Sequence, residues 1–391
     1  MLTAGERVTV STRALSVVAL IGVVAIAFYA FNSYLMLSNT RLQEQVSELN
    51  DAMREAKDRI AEMETILSAL ADKMNAMNQS LLDPSGVYKS VHKSVVLVRT
   101  PLGSGSGFLY DNANLILTNW HVVESSTDIE IEFYDGTRGK ASVVGTDAYS
   151  DVAVLRVEAS PTDAKPLQLS NSSKLYIGQQ VVAIGNPLGL TGSLSAGYIS
   201  QINKLIDIRP IIVPVLQLDV TIAPGSSGGP LLDLTGRVVG ITNAGTGYGF
   251  NFAVPSNIVR RVASSLIEKG YYRHPFVGFS GVELSPETIK DLKITNLDPF
   301  QTGLLIWEVV SGTPAAEAGL RGVESQDSGG YIGRDIILAV DGHATRTFAE
   351  WTAYVEEYVS PGQTITLTLW RTPGDVVSIN ITTAYREPYQ S

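Results

Sequence analysis

Residues 224–230 read PGSSGGP, a glycine-rich turn that carries Ser227 between two apolar, β-branched runs at 215–220 and 238–242. The same letters fit GxSxG, a pattern in which a serine opens a helix after a strand. Here Gly-Gly-Pro follows the serine and another strand-like run comes next, so the helix that this pattern requires is missing. The turn therefore predicts β structure on both of its sides.

Short strand-like runs continue along most of the chain around this turn. They are separated by Gly, Asn, Asp and Pro at regular spacing, without helices between them, which predicts an all-β barrel or sandwich and not a parallel α/β sheet. The runs are 95–99, 107–110, 115–118, 129–134, 152–157, 180–184, 215–220, 238–242 and 250–254. The first helix is expected after them, capped by Ser256 and ended by Gly270.

A further module follows the linker 271–275 and extends over residues 276–388. Its composition predicts strands near 303–310, 336–340, 364–370 and 376–383. Helical stretches are expected at 315–318 and 348–358.

The N-terminal part contains an apolar segment, residues 14–37, without a charged side chain. As a helix it would be about 36 Å long, enough to cross a hydrocarbon core of about 30 Å. A cleaved signal peptide is the alternative, because Ala25-Ile26-Ala27 resembles a processing site. Arg7 and Arg13 precede the segment, so the positive-inside rule predicts a cytoplasmic N-terminus over residues 1–13 and an extracytoplasmic remainder.

Residues 41–82 show an unbroken heptad pattern with apolar side chains at spacings of four and three. A period near 3.5 predicts a left-handed coiled coil and hence an oligomer. A solitary amphipathic helix is the alternative. The apolar positions are Leu42, Val46, Leu49, Met53, Ala56, Ile60, Met63, Leu67, Leu70, Met74, Met77 and Leu81.

Composition excludes several functions for this chain of 391 residues. Without cysteine it has no disulfide scaffold, no thiol nucleophile and no thiolate zinc site. Its four histidines show no metal-ligand spacing, so we expect no metal and no cofactor. A formal net charge of −10 without basic runs argues against nucleic-acid binding.

Three local sequences together carry acyl-transfer chemistry in the chain order His, Asp, Ser. His121 lies at the end of an apolar strand in LTNWHVV at 117–123, Asp151 opens the buried strand 151–155, and Ser227 lies in the turn. A serine hydroxyl needs an imidazole to take its proton, and a carboxylate orients that imidazole. Asp147 is a competing acid, but Asp151 directly precedes the apolar run.

Glycine at 225 lets the backbone turn, so we expect the amides of Gly225 and Ser227 to form an oxyanion hole. The other histidines, His92, His274 and His343, are expected at surface or capping positions.

The motifs TNxHVV, DxAVL, GNPLG at 185–189 and PGxSGGP, in this order, resemble those of the HtrA/Deg serine proteases. The resemblance implies a mainly β protein with a chymotrypsin-like double β-barrel over residues 86–270, preceded by the transmembrane and coiled-coil helices. It also implies the triad His121, Asp151 and Ser227, with a substrate pocket at Asn251 and Phe252. The chain has Ser226 where the family commonly has Asn, and Asn251 where Gly is usual.

Residues 276–388 resemble a PDZ domain, with Phe276, Val277, Gly278 and Phe279 matching its carboxylate-binding loop. Backbone amides of such a loop capture a C-terminal carboxylate while the peptide adds as a strand. A compact β module without peptide affinity is the alternative.

The resemblance as a whole implies a membrane-anchored serine endopeptidase of protein quality control, acting on unfolded or damaged polypeptides outside the cytoplasm, with a trimer as the first expectation. Two alternatives stay open at this point. One is a catalytically idle holdase or scaffold that uses the PDZ module. The other is a regulatory protease that cuts one membrane partner.

Overall fold

The computed structural model of the chain describes residues 12–79, 83–186, 192–243, 250–326 and 330–389. Within the first helix, side chains are described for residues 16–70. The chain divides into two compact units, Met1–Ser80 and Leu81–Ser391.

The first unit is one helix, α1 (Thr12–Gln79). It contains an 18-residue window with a mean hydropathy of 2.0 and no buried residue, long and apolar enough to cross a membrane. A signal sequence passes the same test, so the transmembrane anchor stays a prediction. The apolar heptad side chains between Leu42 and Leu70 form a stripe that is exposed on the single chain. Such exposure is expected for the side chains of a coiled coil that pack against a second helix. Met74, Met77 and Leu81 lie outside the described side chains.

The second unit begins with a short helix that the sequence analysis missed, α2 (Pro84–Val91). Asp83 caps it by accepting a hydrogen bond from the Gly86 amide over 2.6 Å, and Pro84 is its first residue. An Asp-Pro pair is a helix start signal, because the carboxylate satisfies a free amide and proline needs none at that position. Val87 and Val91 bury the inner face of the helix.

A first barrel follows, with the helical turn α3 (Trp120–Val123) after its third strand. It closes in the order β1-β2-β3-β6-β5-β4, with antiparallel pairing throughout. Its strands are β1 (Val95–Thr100), β2 (Gly103–Leu109), β3 (Leu115–Thr118), β4 (Ile129–Glu132), β5 (Arg138–Asp147) and β6 (Val152–Val157).

A second barrel closes in the order β10-β11-β12-β9-β8-β7. Helix α4 (Ser256–Lys269) follows its last strand. The strands are β7 (Gln180–Gly185), β8 (Ser193–Lys204), β9 (Val215–Leu218), β10 (Pro230–Leu232), β11 (Val238–Asn243) and β12 (Asn251–Pro255). The predicted β fold is thus confirmed as two closed six-stranded barrels within the described residues.

Within the two barrels, the sequence pattern missed β5, β8 and β10. Much of β8 is polar and exposed, and it exists because its backbone pairs with β7 and β9. Cross-strand pairing of this kind is invisible to local periodicity. The predicted cap of α4 was also wrong in detail, since Ser256 is the first helical residue and donates its hydroxyl hydrogen to Ser170 O over 3.0 Å. Gly270 ends the helix as predicted, with φ at +81°.

The core between the barrels joins α4 to the outer faces that the two barrels turn toward each other, whereas each barrel interior has a buried cluster of its own. Leu117 and Val154 from the first barrel and Val182 and Ile241 from the second belong to one buried cluster, together with Leu266 of α4. Each such side chain contributes about 1.5–3 kcal/mol when it leaves water. This packing brings the end of β3 beside the 224–230 turn, which joins β9 to β10, and the residue before β6 beside the end of β11.

A C-terminal module completes the unit. Its main sheet has the order β14-β15-β18-β20-β21, with β19 on β18, and β13 pairs with β22. The elements are β13 (Pro275–Phe276), β14 (Phe279–Glu283), α5 (Pro286–Asp291), β15 (Leu304–Val309), α6 (Pro314–Glu317), β16 (Glu324–Ser325), β17 (Tyr331–Ile332), β18 (Asp335–Val340), β19 (His343–Ala344), α7 (Phe348–Tyr358), β20 (Thr364–Arg371), β21 (Asp375–Thr382) and β22 (Ala384–Tyr385). Its identification as a PDZ domain stays a prediction.

Candidate active site

His121 lies one helical turn beyond β3, on α3, with its side chain facing Asp151. Its Nδ1 lies 2.8 Å from Asp151 Oδ2 and 3.0 Å from Oδ1, and its backbone amide donates to Oδ1 over 3.0 Å. The side chain of His121 is 41% exposed, whereas that of Asp151 is 2% exposed. With Nδ1 donating to the buried acid, Nε2 is the nitrogen left to exchange a proton with another group.

Two asparagines hold Asp151 in place through hydrogen bonds. Asn243, the last residue of β11, donates from Nδ2 to Asp151 Oδ2 over 2.7 Å. Asn119 donates from Nδ2 to the Asp151 backbone oxygen over 2.9 Å. The backbone of Asp151 itself has φ at +54°, a conformation that non-glycine residues adopt rarely and that tertiary contacts must maintain.

The pKa of His121 lies above its ordinary value of 6.5. Burial lowers this pKa, but the hydrogen bond to Asp151 and the negative charge of its carboxylate outweigh that effect. Glu124 adds a smaller contribution in the same direction. The arrangement stabilises the imidazolium, the species that a base forms when it accepts a proton.

The turn that carries Ser227 is attached to the first barrel through Ser106. The Ser106 amide donates to Ser227 O over 2.7 Å, and the Ser106 hydroxyl donates to Gly225 O over 2.7 Å. The Asn186 amide in turn donates to the Ser106 hydroxyl over 2.8 Å. Ser227 itself is buried. Because the Ser106 amide of the first barrel donates to Ser227 O in a loop of the second, contacts from both barrels set the position of this carbonyl.

Two glycines give this turn its shape. Gly225 has φ at +92° and Gly228 has φ at +87°, values that favour glycine. The Ser226 amide donates to Ala223 O over 2.9 Å and the Gly228 amide to Thr242 O over 2.9 Å. These bonds occupy the amides of residues 226 and 228; the oxyanion hole at the amides of Gly225 and Ser227 stays a prediction.

The competing acid, Asp147, belongs to a different network. Its Oδ2 lies 2.9 Å from Nε2 of His274, and it also accepts a hydrogen bond from the Ser150 amide over 2.9 Å. The surface or capping position predicted for His274 is wrong, because the residue is 1% exposed. His92 caps the end of α2, with Nδ1 3.1 Å from Tyr88 O, and His343 is exposed; both agree with the expectation.

Sequence reasoning missed two residues that support the site, Asn243 and Ser106. Each stands at a strand position whose neighbours are apolar or small, so a buried polar side chain there was a signal available in the sequence. Their partners lie 92 and 119 residues away along the chain, which no local pattern reveals.

The predicted pocket residues occupy different environments. Asn251 begins β12 and donates from Nδ2 to Val220 O over 2.8 Å. Phe252 is buried in the core between the barrels. Their role in substrate selection stays a prediction. Of the GNPLG motif, residues 187–189 lie outside the described residues.

Phe276, Val277, Gly278 and Phe279 connect β13 to β14 and line a cavity of about 280 Å³. Gly278 has φ at +95°, and its carbonyl accepts a hydrogen bond from the Val310 amide over 3.0 Å. Apolar side chains of α7 line the same cavity, as do residues from the segment between β8 and β9. Peptide binding at this loop stays a prediction.

Comparison with known proteins agrees with this geometry. Residues 105–241 match the family model described as a trypsin-like peptidase domain. The chain is 36% identical over 272 residues to a DegP-like periplasmic serine endoprotease of Halomonas elongata, covering 68% of this chain and 53% of that protein. It is 32% identical over 288 residues to the serine protease Do-like HtrA of Bacillus subtilis, covering 70% of this chain and 62% of that protein.

The chain therefore spans little more than half the length of these curated relatives. Among solved structures, the HtrA-type protease AlgW with a tripeptide superposes with a TM-score of 0.64 at 26% identity. That superposition covers 78% of this chain and 98% of the other. With the double barrel and the His–Asp pair, these matches show a trypsin-like peptidase domain that is similar to those of HtrA/DegP-like serine proteases.

Proposed function

We propose that this protein is a serine endopeptidase of protein quality control that hydrolyses unfolded or damaged polypeptides outside the cytoplasm. The observation that carries the proposal is the contact between His121 Nδ1 and the buried carboxylate of Asp151. The turn that carries Ser227 is attached to the same first barrel, because the Ser106 hydroxyl donates a hydrogen bond to Gly225 O. The periplasmic relative of Halomonas elongata supports the location. An apolar N-terminal helix supports delivery to a membrane.

In the proposed reaction, Ser227 Oγ attacks the carbonyl carbon of the peptide bond while His121 Nε2 takes the hydroxyl proton. The carbonyl π electrons move to oxygen, and the amides of Gly225 and Ser227 donate hydrogen bonds to the resulting oxyanion. Collapse of this intermediate breaks the C–N bond, and His121 gives its proton to the leaving amine. Water then attacks the acyl-enzyme with His121 again as the base, releasing the acid and restoring Ser227.

The Asp151 carboxylate stabilises the imidazolium. Asn243 and the backbone amide of His121 donate hydrogen bonds to this carboxylate, which keeps it aligned with the ring. Each hydrogen bond to a charged group is worth about 1.5–3 kcal/mol.

The proposal extends to assembly and to the C-terminal module. The exposed heptad seam of α1 supports a homo-oligomer, for which we propose a trimer anchored by residues 14–37 with the N-terminus in the cytoplasm. Residues 276–388 are proposed to act as a PDZ domain that binds C-terminal peptides at Phe276, Val277, Gly278 and Phe279. Asn251 and Phe252 are proposed to border the substrate pocket.

Proteolysis of unfolded casein by the full chain tests the proposal, with Ser227→Ala and the adjacent Ser226→Ala as matched variants. We expect a fluorophosphonate to label the wild type and Ser226→Ala but not Ser227→Ala, and casein hydrolysis to follow the same order. A wild type that neither reacts with the probe nor cleaves casein would instead be an idle holdase. Cleavage that requires an added C-terminal peptide would indicate the regulatory protease.

A further inference from the structure

His274 forms a buried contact between two acidic residues that come from different modules. Its Nε2 lies 2.9 Å from Asp147 Oδ2, at the end of β5, and its Nδ1 lies 2.7 Å from Glu356 Oε2, on α7. All three side chains are buried. We call this set the acid–histidine–acid bridge (Asp147, His274 and Glu356).

Both ring nitrogens face a carboxylate, so the bridge is satisfied when both carry hydrogens and the ring is an imidazolium. Burial lowers the pKa of His274, but the charges of Glu356 and Asp147 and the hydrogen bonds to them raise it to about 10. The ring is therefore cationic at neutral pH, and one positive charge lies between two negative ones.

The surroundings of the ring are aromatic and include the guanidinium of Arg386. Tyr149 and Tyr272 meet it edge to face at centroid distances of 5.5 and 4.7 Å. The Arg386 amide donates to His274 O over 2.8 Å, while its guanidinium lies over the Tyr149 ring at 5.8 Å. The titratable or charged groups around His274 include Asp147, Tyr149, Tyr272, Glu356 and Arg386, and Tyr271 and Tyr389 line the same cavity as His274.

Asp147 connects the bridge to the turn that carries the acid of the active site. The turn 148–151 joins β5 to β6, and Asp147 pairs with Val152 across it. The Asp147 carboxylate accepts hydrogen bonds from both the amide and the hydroxyl of Ser150, the residue before Asp151. A shift of the Asp147 carboxylate would break its hydrogen bonds to Ser150. Asp151 is the next residue, and its backbone lies in the left-handed region, so a movement of Ser150 would also move Asp151.

We propose that His274 is a positioning residue for the proposed protease, which holds the Asp151 turn through Asp147 and makes its geometry depend on α7 of the C-terminal module through Glu356. This inference rests on the proposed roles of Asp151 and His121. It adds the three residues of the acid–histidine–acid bridge, which touch neither substrate nor His121. They act through the orientation of Asp151.

Helix α7 offers a matched control for this proposal. Glu357, the next residue, also contacts the barrel unit, because its carboxylate accepts hydrogen bonds from Ser173 and Asn257. Among the described residues, the hydrogen bonds of Ser173 and Asn257 go to groups other than the 148–151 turn. Glu356→Gln and Glu357→Gln therefore remove the same charge from the same helix, and both loosen a contact between modules, but only the first acts on the bridge.

The test follows the four histidines of the full chain in detergent micelles by NMR with 13C at ring carbon Cε1, assigned by single substitutions. In the wild type we expect His274 to remain protonated at neutral pH and His121 to titrate above 6.5. In Glu356→Gln, the pKa of His274 should fall by about two units or more, since one carboxylate is neutralised. The pKa of His121 should fall with it by about half a unit as Asp151 loses its alignment.

Casein hydrolysis by the same three proteins provides the second measurement. For Glu356→Gln we expect kcat to fall about five- to tenfold above the new pKa of His274, because the neutral ring holds Asp147 without the charge that strengthens this hydrogen bond. Glu357→Gln should keep the wild-type pH profile within about twofold.

An unchanged His121 titration in Glu356→Gln would overturn the inference, whether or not His274 itself has moved. Equal effects of the two variants on His121 would also overturn it, because they would indicate module docking alone. The NMR result does not require proteolysis. A coupled His121 and His274 titration in a chain that fails to cleave casein would thus refute the proposed function and support the inference.

Discussion

Asn243 donates a hydrogen bond from Nδ2 to Oδ2 of Asp151 over 2.7 Å, although the two residues stand 92 positions apart in the chain. Asn243 ends β11 in the second barrel, whereas Asp151 directly precedes β6 in the first. The acid that orients His121 is therefore held by both barrels at once. Correct packing between the barrels is a condition for correct orientation of the carboxylate.

Replacing Asn243 should lower the catalytic rate without unfolding the protein. Asn243→Ala removes a hydrogen bond to a charged group, worth about 1.5–3 kcal/mol, so kcat should fall about tenfold to a hundredfold. Asn243→Asp should be worse, because a second carboxylate repels Asp151 and cannot donate the hydrogen bond that the asparagine amide supplies. Steady-state casein cleavage with circular dichroism measures both, and wild-type rates in Asn243→Ala would remove this residue from the site.

The activity should decline in acid at a pH above 6.5. His121 must be neutral to accept a proton, and its pKa lies above 6.5 because Asp151 stabilises the charged ring against the opposing effect of burial. Below that raised pKa the base is protonated, so kcat/KM falls as the pH is lowered. Asp151→Asn should reduce kcat about 10⁴-fold at neutral pH. A profile of kcat/KM from about pH 5 to 9 checks both, and an acid limb below 6.5 in the wild type would contradict the first.

Gly228→Ala should disable the turn that carries Ser227. A Cβ at this position would overlap Ser106 O and Thr118 Oγ1, and the residue also has φ at +87°. Gly136→Ala is the matched control, because Gly136 has φ at +82° and nothing within 4 Å of the added carbon. We expect a cost of about 1 kcal/mol in the control, from backbone strain alone. Thermal unfolding and fluorophosphonate labelling should show a much larger loss in Gly228→Ala, and equal losses in the two would refute the steric argument.

The globular unit should lose stability in alkali through His274. Its folded pKa, about 10, lies above the unfolded value near 6.5, so its contribution to the free energy of unfolding is complete below 6.5. The contribution is lost as the pH rises through about 10. Urea unfolding of the wild type at pH values near 6.5 and near 10 should differ by on the order of several kcal/mol. Glu356→Gln should show a smaller difference, and an equal difference would contradict the assignment.

Disrupting the heptad seam of α1 should dissociate the proposed oligomer. Leu49→Glu places a charge on the apolar stripe, where a partner helix is expected to pack, and burying an unpaired charge costs several kcal/mol. Ser68→Glu adds the same charge off the stripe and should leave the mass unchanged. Sedimentation of the two variants in detergent measures the difference. A wild type that sediments as a monomer would make α1 a solitary amphipathic helix.

Local pattern alone determined much of this protein. The bounds of β3, β6 and α7 follow from apolar spacing and turn residues, because nearest neighbours in the chain set both. The glycine conformations at Gly225 and Gly270 and the order of His121, Asp151 and Ser227 were also readable from the letters.

Tertiary structure decided the rest, since it depends on contacts between distant residues. The sequence favoured Asp151 over Asp147 as the partner of His121, but only the packed structure pairs Asp147, four positions away, with His274. The burial of His274 arises because α7 brings Glu356 to it from 82 residues away. A buried charge is favourable only when groups of opposite charge contact it. The local sequence pattern does not show which distant residues will make that contact.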